Sequence, residues 1–393
     1  MKEPKIRFNE FKGEWEETTI GHLFSFKNGL NKGKEFFGHG TPIINYTDVY
    51  KNRILSKSLV KGTVKLDFDE ISRYRVLKGD VFFTRTSETP EEVGLSSVLV
   101  EDIKDCSFSG FVLRARPTTD NLVPEFCSQC FSVDSIRNAI KSTCTYTTRA
   151  LTNGTVLSKI NLCYPIKAEQ HSIASFFTTL DAQISASTSR LASLKQIKAA
   201  SLQAMFPQEG ETVPKLRFKE FEGEWEYDEI GNICKITTGK SNTQDQVPDG
   251  QYPFFIRSEK IAKSVKYLYD TEAVITIGDG NIGKVFHYTK GKFDLHQRCY
   301  MMYEFQSIID AKYFYYYFST HFYDRAIKMS AKATVDSVRL DMIAKMEIKY
   351  PSFNEQRAIA SYFTNLDRQI TLQSQRLEKL KQIKAACLDK MFV

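Results

Sequence analysis

Two phrases occur twice in this chain of 393 residues, and they constrain its fold more than any other feature. PKIRFNEFKGEWE from Pro4 returns as PKLRFKEFEGEWE from Pro214, and LKQIKAA at Leu194–Ala200 returns at Leu380–Ala386. From Tyr164 to Phe206 and from Tyr350 to Phe392 the chain aligns without a gap at an offset of 186, sharing YP, EQ, IAS, LD, QI, RL, LKQIKAA and a closing MF. The opening segments align at an offset of 210, so the first interior is longer by the difference, 24 residues. A chain that repeats its ends and not its middles carries one frame around two unlike contents.

The frame is helical. Ile173, Phe177, Leu180, Ile184, Leu191, Leu194 and Met205 fall on alternating steps of three and four, as do Ile359, Phe363, Leu366, Ile370, Leu377, Leu380 and Met391. A period of 3.5 residues is the coiled-coil signature. Ser187, Lys198 and Ser201 interrupt one stripe, and Gln373, Lys384 and Cys387 the other. Two such helices in one chain most simply pack on each other. The polar link PQEGETVP at Pro207–Pro214 ends the first helix and restarts the second copy. The interiors read as mixed sheet and helix. LKGDVFFTRT (Leu77–Thr86) and AVITIGDGNIGKVF (Ala273–Phe286) predict hairpins, with turns near Gly94 and at Gly278–Gly283. A later helix is expected around Phe126–Lys141 and Tyr313–Lys328, each ending in AIK. The expected organisation is α+β: a first domain with its opening segment over 1–163, a repeated helix over 164–206, linker and second domain over 207–349, and a second helix over 350–393.

Apolar residues make up 42% and charged residues 26%, the balance of a globular protein with proper cores. The net charge of +7 tilts toward phosphate-bearing partners. MKEPKIRFNEF has no apolar signal core, and the greasiest run, Tyr313–Phe318, is too short to span a bilayer. The eight cysteines lack framework spacing. A cytoplasmic protein with free thiols and no membrane partner is expected.

Each catalytic or metal-like motif in the chain has a plainer structural reading. Cys127 and Cys130 form a lone CxxC whose matching positions in copy two are Phe314 and Tyr317, which favours a packed helix face over zinc. Asp341, Glu347 and Lys349 mimic a nuclease D…ExK pattern, but copy one has Thr155, Asn161 and Cys163 there. No GxxxxGK[ST] loop and no NPPF- or DPPY-type methyltransferase motif is present. GDGNIG at Gly278–Gly283 lies between strand-like runs and does not open a helix, so it reads as a hairpin turn. The chain reads as non-catalytic, with no catalytic residue, no metal site and no cofactor of its own.

What accumulates instead is donor-rich loop material. Copy one offers Lys32 and Lys34, then Arg85, Thr86 and Ser87, then Tyr146, Thr148 and Arg149. Copy two offers Lys240 and Asn242, Arg257 and Ser258, His296, Gln297 and Arg298, then Lys328 and Lys332. Arg and Lys suit guanine edges, Asn and Gln suit adenine, and hydroxyls suit phosphate. Each residue alone is equally a solvated loop side chain; their clustering in both variable interiors is the signal. Two other readings stay open from residues alone: a scaffold with two heads on a coiled coil, and a self-contained nuclease.

With the duplicated KxRFxEFxGEWE opening, the duplicated YPxxxEQxxIAS…LD helix ending in LKQIKAA, and two dissimilar interiors, the chain resembles the specificity subunit of type I restriction–modification enzymes over essentially its full length. The resemblance implies two target recognition domains, each reading half of a bipartite site in double-stranded DNA, separated by repeated helices in an antiparallel coiled coil that sets the gap. It implies a subunit without a catalytic site that binds two modification subunits, which carry S-adenosylmethionine and methylate adenine N6. Restriction subunits, acting with ATP and Mg²⁺, would join them. A helix of about 35 residues is roughly 50 Å long, enough to hold two readers on half-sites on the order of 34 Å apart. Lys195, Lys198, Lys381 and Lys384 on these helices either face phosphate or partner subunits, or are plain solvated charges.

Overall fold

The computed structural model describes residues 3–146, 148–330 and 337–393. The chain divides into two compact units, one of residues 1–187 with 376–393 and the other of residues 188–375. Both long helices are continuous, Lys167–Met205 over 39 residues and Phe353–Lys390 over 38. Each unit therefore takes the start of one helix and the end of the other.

Among the described residues, unit one holds a five-stranded sheet ordered Phe24–Asn28, Val112–Pro117, Val81–Thr84, Ser96–Leu99, Ile54–Leu55. Unit two holds a six-stranded sheet that begins in the same way: Lys235–Thr238, Cys299–Tyr303, Tyr269–Ile277, Phe286–Leu295. The expected hairpins are the central pairs of these sheets, with Val81 opposite Val98 and Thr276 opposite Phe286. Their turns end on equivalent glycines with left-handed backbones, Gly94 at φ +64° and Gly283 at φ +66°. A Cβ on Gly94 would sit 2.6 Å from Ile140 Cγ2, so the turn also needs glycine for closeness to the helix behind it. Unit one adds two three-stranded sheets, Gly62–Val64, Phe37–Ile44, Ser107–Phe108 and Thr145–Tyr146, Ala150–Leu151, Thr86–Ser87.

One expected helix is broken. In place of a run around Phe126–Lys141, unit one has Pro124–Cys130 and Asp134–Thr143. Phe131 turns into the core against Phe83 at 5.1 Å and Phe24 at 5.9 Å. The Ser132 N–H closes a tight turn onto the Gln129 carbonyl at 2.8 Å, and Asp134 then starts a new helix with an acid where the dipole favours one. Unit two keeps one helix, Ala311–Ser330.

The repeated phrases build the same joint in each unit. The opening segment feeds a strand that pairs with the strand before the long helix, Glu16 opposite Tyr164 and Glu226 opposite Tyr350. Arg7 grips Glu169 with Nε at 2.8 Å and Nη2 at 2.7 Å, and Arg217 grips Glu355 at the same two distances. Both carboxylates are 1% exposed, so the EQ glutamates are a buried anchor for the opening segment. The following glutamines tie down the chain before the later helix: Gln170 bonds the Val123 N–H and the Asn121 and Pro165 carbonyls, and Gln356 bonds the Asp310 N–H and the Ile308 and Pro351 carbonyls.

Within each unit the two helix segments run antiparallel. In unit one Phe177 meets Phe392 at 6.0 Å and Asp181 pairs with Lys384. In unit two Phe206 stacks on Phe363 at 5.8 Å, Ser201 Oγ lies 2.9 Å from Tyr362 Oη, and Lys198 reaches Asp367 at 2.5 Å. Every residue of the two stripes expected from sequence is buried or half-buried. The interrupting Ser187, Ser201 and Gln373 are buried with them. The closing MF of each helix enters the core of the unit in which that helix ends, Met205 and Phe206 with Trp225 and Tyr313, Met391 and Phe392 with Trp15 and Phe126.

Candidate nucleic-acid interface

In unit one the fold joins two loops that are far apart in sequence. Thr86–Ser87 pairs with Ala150–Leu151, which pairs with Thr145–Tyr146, so two segments far apart in sequence meet in one three-stranded ribbon. The Arg85 N–H donates to the Phe111 carbonyl at 3.1 Å and its own carbonyl accepts from Thr152 at 3.0 Å. A cleft of about 430 Å³ opens beside the ribbon, lined by Tyr46, Tyr50, Thr86, Ser87, Phe111 and Arg149 with Glu88 and Glu92. Glu92 accepts from Ser87 Oγ at 2.9 Å and from Tyr50 Oη at 2.8 Å. That bond to a carboxylate raises the Tyr50 phenol above its ordinary pKa. Tyr46 and Tyr50 stack at 5.7 Å, while Phe111 and Tyr146 are 61% and 57% exposed. Exposed rings beside Arg149 and Thr148, both exposed, can stack on bases or meet a thymine methyl while the guanidinium reads an edge or a phosphate.

Lys32 and Lys34 do not join this cleft. Lys32 is paired with Glu70, donates to the Lys65 carbonyl at 3.0 Å and lies over the Phe36 ring at 4.7 Å. Lys34 is exposed at the start of the turn Lys34–Phe36. Sequence reasoning missed a basic cluster on the main sheet. Lys27 stands opposite Arg114, with Arg116 two residues on and Arg73 against Lys27 through its carbonyl at 2.5 Å. Burial, then the charges of Arg114, Arg73 and Arg116, push the Lys27 ammonium below its ordinary pKa. Arg116 already meets an anion, donating to the buried Asp80 carboxylate at 2.8 and 2.7 Å, and Arg114 is buried. The signal was legible in VLRARP, where arginines two apart on a strand share a face.

In unit two the candidate residues converge at the strand ends of the main sheet. Ser241 bridges to His296, and the Gln297 N–H donates to the Ser241 carbonyl at 2.8 Å. Gln297 Nε2 donates to Asn242 Oδ1 at 2.5 Å. His296 is buried; its Nδ1 accepts from the Arg298 N–H at 3.0 Å, and its Nε2 lies 3.3 Å from Thr243 Oγ1. Burial and then the Arg257 charge lower its pKa, so it serves as a neutral structural ring. Arg257 and Arg298 both bond Asp279, and Ser258 accepts from His287 Nε2 through its carbonyl at 3.0 Å. Burial opposes the charge on Asp279, but the bonds from Arg298 and Arg257 hold its carboxyl below the usual range. Lys240 is exposed beside this group. Lys328 stands apart, paired with Glu209 at 3.0 Å, and Lys332 lies outside the described residues.

On the helices Lys195 and Lys381 are exposed, whereas Lys198 and Lys384 are engaged with Asp367 and Asp181. Cys127 and Cys130 are buried among core side chains, and burial raises the Cys130 thiol well above its ordinary pKa. Asp341 pairs with Arg339 at 3.5 Å, while Lys349 turns to the Glu211 carbonyl at 2.7 Å. Among the described residues no group of three metal-ligating side chains occurs, and no helix is long and apolar enough to cross a membrane.

A family model for the type I restriction modification DNA specificity domain matches residues 12–196 and again residues 222–382. The specificity subunit of the type I restriction enzyme EcoDI from Escherichia coli is 30% identical over 160 residues, 41% of this chain and 35% of that protein. The chain thus spans about a third of that relative's length. The putative type I restriction enzyme MjaX specificity subunit of Methanocaldococcus jannaschii is 20% identical over 410 residues, covering 98% of this chain and 94% of that one. In fold, the chain is similar to the crystal structure of a type I restriction-modification system S subunit from M. genitalium, with a TM-score of 0.69 at 15% identity over 100% of this chain and 99% of the other.

Proposed function

The chain belongs to the type I restriction–modification DNA specificity family, and from that premise we propose that it reads a bipartite site in double-stranded DNA, one half-site per unit. It is the non-catalytic subunit of its complex. Two modification subunits carry S-adenosylmethionine and methylate adenine N6 at the site, and restriction subunits with ATP and Mg²⁺ cut DNA. The observation that carries this reading is one frame holding two unlike polar loop surfaces. The joints Arg7–Glu169 and Arg217–Glu355, and the helix pairs Lys384–Asp181 and Lys198–Asp367, are the same construction made twice. The loops they carry share almost no chemistry. A continuous helix of 39 residues rises about 58 Å at 1.5 Å per residue, stiff enough to set the gap between half-sites. Joining two weak readings at a set interval multiplies specificity through effective concentration. The candidate loop residues Arg85, Thr86, Tyr146, Thr148 and Arg149 in unit one, and Asn242, Arg257, Gln297 and Arg298 in unit two, form the reading surfaces, with the buried Ser87 and His296 supporting them from beneath. Exposed Lys195 and Lys381 face the partner subunits or the DNA backbone.

The test is modification mapping. The chain is expressed with its modification subunits and methylated adenines are located across a genome by single-molecule sequencing. The expected result is one motif of two short blocks with a constant gap. A contiguous motif, or methylation unaffected by omitting this chain, refutes the proposal.

A further inference from the structure

The strand-end surface of unit two spends more hydrogen-bonding groups than its fold requires. Arg257 follows the strand Tyr252–Phe255 and Arg298 precedes the strand Cys299–Tyr303, yet both reach one carboxylate. Arg257 Nη1 lies 3.1 Å from Asp279 Oδ1, and Arg298 Nη1 lies 2.7 Å from Asp279 Oδ2. The Gly278 N–H donates to the Arg298 carbonyl at 2.7 Å, so the turn that carries Asp279 is stitched to the loop it serves. The carboxylate is 18% exposed, whereas the two guanidinium side chains are 45% and 62% exposed.

Exposed ion pairs contribute little stability, and a second cation on the same anion adds repulsion. The arrangement does something else: it holds two planar forks still while leaving net positive charge at the surface. A fork held in advance loses little freedom when it meets a planar pair of acceptors, and guanine O6 and N7 are such a pair in the major groove. In unit one the equivalent turn, located by the bridge of Leu30 to Ser109, carries exposed Phe111, which cannot donate from its side chain.

We infer that the half-site read by unit two contains a G·C pair contacted by Arg298, with Arg257 beside it and Asp279 as the positioning residue for both. This rests on the reading of unit two as a DNA reader. Gln297 and Asn242, joined amide to amide at the same surface, place an acceptor and a donor next to the arginines, the pattern that suits a neighbouring adenine.

The experiment is modification mapping with the full chain and its modification subunits, comparing the parent with Arg298→Ala, Arg298→Lys and Asp279→Asn on a library randomised across the site. For Arg298→Ala, discrimination at a single G·C position in one block is expected to fall on the order of ten- to a hundred-fold, with the other block unchanged. Arg298→Lys keeps the charge and loses the fork, so it should relax the same position. Asp279→Asn should relax that position more weakly, without the shift in melting temperature that a purely structural role would give. A uniform fall across all sequences with a shallower salt dependence marks Arg298 as a phosphate contact and overturns the inference, as does an unchanged motif in both arginine variants. Absence of a two-block motif in the parent refutes the proposed function itself, a different result from an intact motif that ignores Arg298.

Discussion

The turn that leads into the strands Val112–Pro117 and Cys299–Tyr303 reads Ser109–Gly110–Phe111 in unit one and His296–Gln297–Arg298 in unit two. In unit one a Cβ on Gly110 would lie 1.9 Å from Asn31 Oδ1, so any larger residue there must displace the Asn31 side chain. In unit two Gln297 occupies that place and bonds Asn242, and the next residue is a charged fork where unit one has a ring. The main sheets differ similarly: Lys27, Arg114 and Arg116 in unit one stand where unit two has Thr237, Met301 and Tyr303. Surfaces this unlike sit on sheets that begin with the same strand order and on joints with the same bond lengths. What the difference teaches is that loop chemistry is decoupled from stability. The loops contribute little to the cores, so they can change without disturbing the frame.

That comparison can be broken by testing whether the two frames are equivalent in energy. The chain's two tryptophans fall one in each unit, Trp15 and Trp225, so single-tryptophan variants report each unit separately. The largest effect is expected where each helix end enters a core. Phe206→Ala removes a fully buried ring and should cost unit two about 3–5 kcal/mol in denaturant unfolding, with Phe392→Ala, 8% exposed, at the lower end in unit one. Equal loss in both units from either variant would show that the cores are not independent.

Next come the buried anchors. Arg7→Ala and Arg217→Ala each strand a carboxylate that is 1% exposed, at a cost of about 3 kcal/mol. The two values should agree closely; a wide gap would mean the joints are alike in shape but not in energy.

Acid should separate the units. His287, His296 and His321 all lie in unit two, and burial lowers each below the ordinary value of 6.5. The unfolded chain then binds protons first, so the stability of unit two is whole above pH 6.5 and falls as pH drops below it toward the folded values. The three histidines of unit one, His22, His39 and His171, are exposed. Urea midpoints at a series of pH values decide it, and parallel curves for the two units would contradict the assignment.

The smallest effects belong to the half-exposed helix pairs. Breaking Lys198–Asp367 or Lys384–Asp181 should cost about 0.5–1 kcal/mol each and less in high salt. Double-mutant cycles should return similar coupling for the two, since one pair is the repeat of the other.

Much of this was legible in the residues. The duplicated phrases declared one frame used twice, the 3.5-residue stripe marked both helices and their buried faces, and turn glycines placed both central hairpins. Phe126–Lys141 was misread as one helix because nothing local marks Phe131 as a core ring that must turn inward. Of the basic cluster, Arg114 and Arg116 were legible on one strand, but Lys27 and Arg73 come from segments far apart in sequence and only the fold brings them there. Asp279 was passed over as part of a turn, since its partners Arg257 and Arg298 come from elsewhere in the chain.

The sequence by itself determined the repeat, the helical period and the donor-rich character of the two interiors, because these depend on order along the chain. Only the tertiary structure decided that each closing MF serves the other copy's core, since identical phrases cannot say which copy they join. It alone decided which loop residues meet, because a hydrogen bond such as Arg298 to Asp279 depends on distance through space. Two copies of one phrase fold alike; what they carry and whom they touch is settled by packing.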